Sequence, residues 1–278
     1  MSDLHIRIIQ DESEFKQIKP MWNELLKKTN DNNIFLTWEW VYTWWKYYDK
    51  SNQIHIITVY DGPELLSIFP TSLKIYNCLF FKIRVLENIG STDTDHGGII
   101  SIGKKDKIYE LILNYFNKLI FEKGYLIIFS HVFPNNDLFH MFKPNSTGST
   151  SFKVLKTELT SSPYLLLPSD WESYARSLSK KKRKNLGWSI RAISKSHELR
   201  FENYDTSNNN ISEVLNLFFN LHKQRWNDKN LTSRFYDDNI VNYYNELTNI
   251  FLNNGWMDVS ILYVDDEAIS IVWAFIYN

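Results

Sequence analysis

The chain has 278 residues, 44% hydrophobic and 16% aromatic, which is enough to bury a large core in one long domain or two small ones. Net charge is −1, but residues 176–200 carry nine Lys/Arg against Glu198 alone, so that segment is +8 and the remainder −9. This imbalance argues against a general nucleic-acid binder and for one localised anionic contact.

Residues 4–9 alternate as a strand, and 12–28 have helical periodicity through Phe15, Ile18, Trp22, Leu25 and Leu26. An aromatic helix follows, with Trp38, Val41, Trp45 and Tyr48 on one face. That stripe reads as core; Trp40 and Trp44, projecting elsewhere, are the ones to line a ligand if any do. Strands at 54–60 and 65–76 flank an Asp61-Gly62-Pro63 turn and form an antiparallel hairpin, with another strand at 83–89. Residues 90–98 (GSTDTDHGG) are the most loop-like and polar segment. A helix is expected at 106–123 with Ile108, Leu111, Ile112, Tyr115, Phe116 and Leu119 inward and Gly124 as its C-cap. A buried strand at 125–129, a short helical turn at 137–142, a polar loop at 145–151 and a segment at 152–159 lead into the last strand of a mixed α/β unit that ends at about residue 168.

The basic segment begins with Pro163 and Pro168 bracketing Tyr164-Leu-Leu-Leu, an apolar run with the pattern of a buried strand. Ser169 and Glu172 have capping-box spacing and predict a helix running to Ser196, about 40 Å long if continuous, bending at Gly187. The pattern then restarts: a strand at 199–204, helices at 212–226 and 237–253 closed by Gly255, and strands at 257–264 and 268–277 around Asp265-Asp266-Glu267. Glu64-Leu-Leu-Ser-Ile-Phe-Pro and Glu267-Ala-Ile-Ser-Ile-Val-Trp both follow an acidic turn, as in an internal repeat of β-α-α-β-β type. The long helix is then the connector between two copies.

Cys78 is the only cysteine, which leaves no internal disulfide or thiolate metal cluster and fits a reducing compartment. Asp3, His5 and Arg7 interrupt the first ten residues, so these do not read as a signal peptide, and no run approaches the ~18 apolar residues of a membrane span. The expectation is a cytoplasmic protein. Seven histidines without His-x-x-x-His spacing predict no metal site, and no Gly-x-Ser-x-Gly points to seryl hydrolysis.

Four segments resemble the GNAT acyltransferase superfamily and, more narrowly, the double-GNAT proteins grouped as CelD/BioF2-like acetyltransferases, relatives of the FemAB/FemX peptidyltransferases. They are FLTWEWVYTWW at 35–45 with VYDG at 59–62 and IFP at 68–70; LENIGSTDTDH at 86–96; RKNL at 183–186 followed by Arg191; and LHKQRW at 221–226. The resemblance implies tandem GNAT-like domains, each a twisted, mostly antiparallel sheet flanked by helices. Their expected extents are 1–168, a basic connecting helix at 169–198, and 199–278 holding only β-α-α-β-β. It also implies acyl transfer from acetyl-CoA or another acyl-CoA to an amine of an amino-sugar or peptide precursor in cell-surface polymer biosynthesis. A FemX-like transferase using aminoacyl-tRNA and a non-catalytic binding module are the alternatives.

GNAT proteins seat the CoA pyrophosphate on backbone N–H groups between a strand and the following helix. In the first half that place is held by Asp93, Asp95, His96, Gly97 and Gly98, whose carboxylates repel a pyrophosphate. Asp95 and His96 are the expected catalytic pair beside the amine, since an imidazole near a carboxylate titrates close to neutrality; the plainer reading is loop residues bonding backbone. Lys180 and Arg183 on the basic helix, with Arg225, are expected to meet anionic parts of the substrates. His222 and Trp226 face substrate in the same reading; alternatively this trio is helix-end charge complementarity with a packed indole.

Overall fold

The computed structural model describes residues 3–91, 93–142, 151–158, 161–204 and 211–277, which divide into two compact units within 1–159 and 160–277. Both mix helices with antiparallel sheet.

Unit 1 opens with β1 (Leu4–Ile9), α1 (Glu12–Gln17) and α2 (Lys19–Lys27). The single helix expected over 12–28 is two, because Pro20, lacking an N–H, sits in the first turn of α2 and Ile18 serves as the joint. A 3-10 turn (Ile34–Leu36) leads into α3 (Trp38–Trp44), capped by Thr37, and a π-helical turn (Trp45–Asp49). Every α3 side chain is buried, Trp40 and Trp44 included, so neither forms a ligand-facing wall. Trp38 donates to Phe15 O, Trp22 to Leu36 O and Trp40 to Thr94 Oγ1, so the aromatic segment is core that also pins neighbouring loops.

Next come β2 (Gln53–Ile54), β3 (Ile56–Asp61), β4 (Glu64–Phe69), β5 (Thr71–Cys78), β6 (Phe81–Asn88), β7 (Ile100–Ser101), α4 (Lys105–Phe121), β8 (Tyr125–Ile128) and α5 (Asp137–Met141). The strand expected over 65–76 is interrupted at Pro70, where the chain passes from one sheet, ordered β1-β3-β4-β7, into another, ordered β2-β5-β6-β8. β6 and β8 are parallel and joined through α4; the other pairs are antiparallel. Ile108, Ile112, Phe116 and Leu119 of α4 close the core against Ile57, Val59, Phe69 and Leu86. Gly124 ends α4 at φ +66°, a left-handed cap that costs a residue without Cβ little.

Unit 2 contains α6 (Trp171–Ser177), α7 (Lys180–Ile193), β9 (Leu199–Tyr204), α8 (Ile211–Asn227), a 3-10 turn (Arg234–Tyr236), α9 (Asp238–Asn253), β10 (Met257–Val264) and β11 (Glu267–Phe275). Its sheet, β11-β10-β9, is antiparallel throughout, the same sequence of neighbours as β4-β3-β1. The likeness extends to detail. At an offset of 200 residues each unit has a 3-10 turn closed by a side chain on the amide of its Phe: Asn33 on Phe35, Ser233 on Phe235. Asp265 and Asp266 make the β10–β11 turn with positive φ, and Asp265 ties back to Glu198 N and His197 at the start of β9.

Two expectations for the middle of the chain fail. Tyr164–Leu167 forms no strand, and its side chains are 57–84% exposed. An apolar run reports a tendency to be buried, and a strand requires a paired neighbour as well; none of the described residues supplies one. The connecting helix is broken at Leu178, extended at ψ 146°, with Ser179 capping a new start at Lys182 N; Asp170, not Ser169, caps α6. Gly187 stays helical, because its cost of about 1 kcal/mol is smaller than what ends a helix when Ser179 offers its amides a partner.

Candidate functional site

In unit 1 the loop after β6 is organised by two buried asparagines. Asn88 accepts from Ser130 N through Oδ1, while its Nδ2 has no partner among the described residues. Asn136, the cap of α5, accepts from Ile99 N (3.1 Å) and Leu138 N (2.9 Å) and donates to Asp31. Gly98 lies so close that a Cβ there would sit 2.3 Å from the Asn136 amide. Gly90, at φ +95°, similarly makes room for Thr94 Oγ1. Gly97 N bonds His131 O and Thr94 N bonds Gly90 O.

His96 stacks on Phe133 (centroids 4.5 Å, 22° between planes) and lies against Phe35. Asp95 is exposed, and no hydrogen bond joins it to His96. The expected acid–base pair is therefore adjacent in sequence but not coupled in space. Nor does the loop fit an acyl-CoA pyrophosphate: the amides of Thr94, Gly97 and Ile99 are occupied internally, and Asp93 and Asp95 add negative charge. Lys104 and Lys105 at the start of α4 are paired with Asp61 and Asp137.

In unit 2 the structure gathers His222, Arg225 and Trp226 on the last turns of α8. His222 occupies the position that Trp22 holds 200 residues earlier. Trp22 is fully buried and bonds the turn through Leu36 O; His222 is half-buried and contacts the equivalent turn through Nδ1, 2.9 Å from Ser233 Oγ. Its ring packs against Trp226 and Phe235, each with centroids 4.8 Å away. Partial burial, helped by Arg234 and Arg225, lowers its pKa, so the imidazole is neutral near pH 7. Ser233 Oγ already accepts from Phe235 N. In the tautomer whose Nδ1–H donates to this oxygen, Nε2 carries the lone pair for a proton; in the other, the Ser233 hydroxyl donates to Nδ1.

Arg225 and Lys229 are exposed and Lys223 and Arg234 half-buried; Lys223 lies over Tyr236 (5.1 Å), Lys229 over Trp226 (5.2 Å) and Arg234 over Tyr244 (5.6 Å). Ser233, Phe235 and Arg234 went unnoticed in the sequence; the only signal was the Ser-Arg-Phe-Tyr-Asp run echoing the earlier Asn-Ile-Phe-Leu-Thr. Lys180 and Arg183 lie in the first turn of α7, where all five residues from Lys180 to Lys184 are exposed and form no ion pair with described residues. Cations there oppose the helix dipole, at about 0.3–1 kcal/mol each before screening. Among the described residues no three His/Cys/Asp/Glu are placed to hold a metal, and no helix is long and apolar enough to cross a membrane.

Residues 180–278 match the family model described as an acetyltransferase (GNAT) domain, which supports a GNAT-type domain in this part of the chain. The match supports N-acyltransferase activity with acetyl-CoA as the co-substrate GNAT domains generally use, on a small-molecule or peptide acceptor. It begins at α7, so the basic helix belongs to the matched region. No curated protein and no solved structure matches the chain.

Proposed function

We propose that the protein is a double-GNAT enzyme of the CelD-like type, moving an acyl group from an acyl-CoA to an amine of an amino-sugar or peptide precursor for cell-surface polymer. The observation that carries the reading is the GNAT match over 180–278. The repeated sheet order and 3-10 turn of the two units support its tandem form.

The acyl-CoA supplies an activated thioester carbonyl when bound. The amine must reach that carbonyl unprotonated, so a nearby group has to take its proton. Asp95, through its exposed carboxylate, and His96, through its stacked ring, act on the amine independently, since no hydrogen bond couples them. In unit 2, His222 has the protonation state a base needs. Lys180, Arg183 and Arg225 hold anionic parts of the substrates, consistent with their exposure and with the absence of an ion pair to any of them among the described residues; Arg183 donates only to the Arg176 carbonyl.

Calorimetry with acetyl-CoA tests the reading: the full chain binds, and Arg183→Ala with Arg225→Ala weakens binding about tenfold or more. Absence of binding by the unaltered chain would falsify it. The exposed run Lys180–Lys184, which forms no ion pair with described residues, favours one other donor, an aminoacyl-tRNA. That reading requires tRNA binding that falls steeply with salt and depends on these five residues.

A further inference from the structure

The hairpin β5–β6 ends in a tip that folding alone does not explain. Cys78 pairs with Phe81, leaving Leu79 and Phe80 as a two-residue turn. Such turns favour Gly, Asn or Asp, because at least one central residue takes positive φ. Here Leu79 holds φ +29°, and Leu79, Phe80 and Phe81 are 98%, 95% and 63% exposed. The outer half of each strand also stands clear of the core, and Ile75 and Tyr76 are exposed as well. Four residues per strand correspond to a projection of about 13 Å.

The base of this projection is held firmly. Lys74 bridges Asp49 and Glu87 at 3.1 Å each, and Tyr76 donates to Glu87 (2.7 Å). Arg84 donates to Lys123 O, joining the hairpin to the end of α4, where Phe121 is exposed. Lys82, Arg84 and Lys123 are exposed cations around these apolar side chains, against Glu122 as the neighbouring exposed acid.

We infer that the tip is a membrane-surface anchor: Leu79 and Phe80 insert into the interfacial region of a bilayer while Lys82, Arg84 and Lys123 meet anionic headgroups. A lipid surface fits better than a second copy. A narrow apolar wedge with a basic rim matches a fluid, negatively charged partner instead.

The test is co-sedimentation of the full chain with vesicles of phosphatidylcholine alone or mixed with phosphatidylglycerol. Binding is expected to the mixed vesicles, at least about tenfold weaker to the neutral ones, and to fall with salt. Leu79→Gly with Phe80→Asn installs residues this turn prefers, so the fold is kept; it should weaken binding about tenfold or more. Lys82→Glu with Arg84→Glu should abolish the preference for anionic vesicles. Failure of the unaltered chain to bind, or unchanged binding by the glycine–asparagine variant, overturns the proposal. So does light scattering that shows a dimer which this variant converts to monomer, because the tip is then a self-association surface.

Discussion

Replacing Lys74 by Met removes one charge from a place that cannot do without it. The Lys74 side chain is 13% exposed, and its two partners, Asp49 and Glu87, are 1% and 12% exposed. Burial by itself lowers the pKa of this lysine, but the two carboxylates outweigh it and the net shift is upward, so the ammonium is retained. Methionine fills nearly the same volume, so packing loss is small and the effect isolates the charge. Two carboxylates are left facing each other without a cation, and Asp49 Oδ2 already lacks a partner. Removing one member of a buried ion pair costs about 3–5 kcal/mol. Urea unfolding followed by tryptophan fluorescence reads this directly, with Trp44 a local reporter 5.8 Å from the Lys74 ammonium. Adding Asp49→Asn and Glu87→Gln to Lys74→Met should recover most of the loss, since neutral amides need no counter-charge. A loss below about 1 kcal/mol for Lys74→Met alone would show that the network does not secure the base of the hairpin.

Gly98→Ala should destabilise unit 1 by about 1–3 kcal/mol, because its Cβ meets the Asn136 amide that also secures Ile99 and Leu138; thermal melting checks it, and an unchanged midpoint contradicts the close approach. His55 is buried, with Nε2 2.7 Å from the Tyr115 hydroxyl and Nδ1 unpaired, and burial followed by the charge of Lys123 lowers its pKa to about 4. A folded pKa below the unfolded one means stability is fully present above about pH 6.5 and is lost as pH falls toward 4, by roughly 3 kcal/mol. His55→Gln should flatten that part of the stability–pH curve; an unaltered slope excludes His55 as its source.

Elements with a strong internal period were legible from residue order. The inward face of α4, the strand β1, the hairpin β10–β11 and both glycine caps rest on contacts a few residues apart, where side-chain spacing dictates which face is buried. The repeat was legible as well, because the two acidic turns preserve letters. The failures have two sources, a missing distant neighbour and a local capping contest. Tyr164–Leu167 has the composition of a strand and no strand beside it. The break at Leu178 turned on a local contest between Ser179 and the continuing helix, which composition does not weigh.

The candidate site divides along the same line. Residue types sufficed to pick out the polar glycine-rich loop, the basic run and the end of α8, since unusual density of charge or glycine is visible without coordinates. Tertiary structure alone decided that the His96 ring stacks on Phe133, thirty-seven residues downstream, with no hydrogen bond to Asp95. It also decided that the loop amides are spent on Asn136 and His131, and that Ser233 holds His222. Proton transfer and anion binding depend on which donors are left free. That is a property of long-range pairing, and sequence spacing does not contain it.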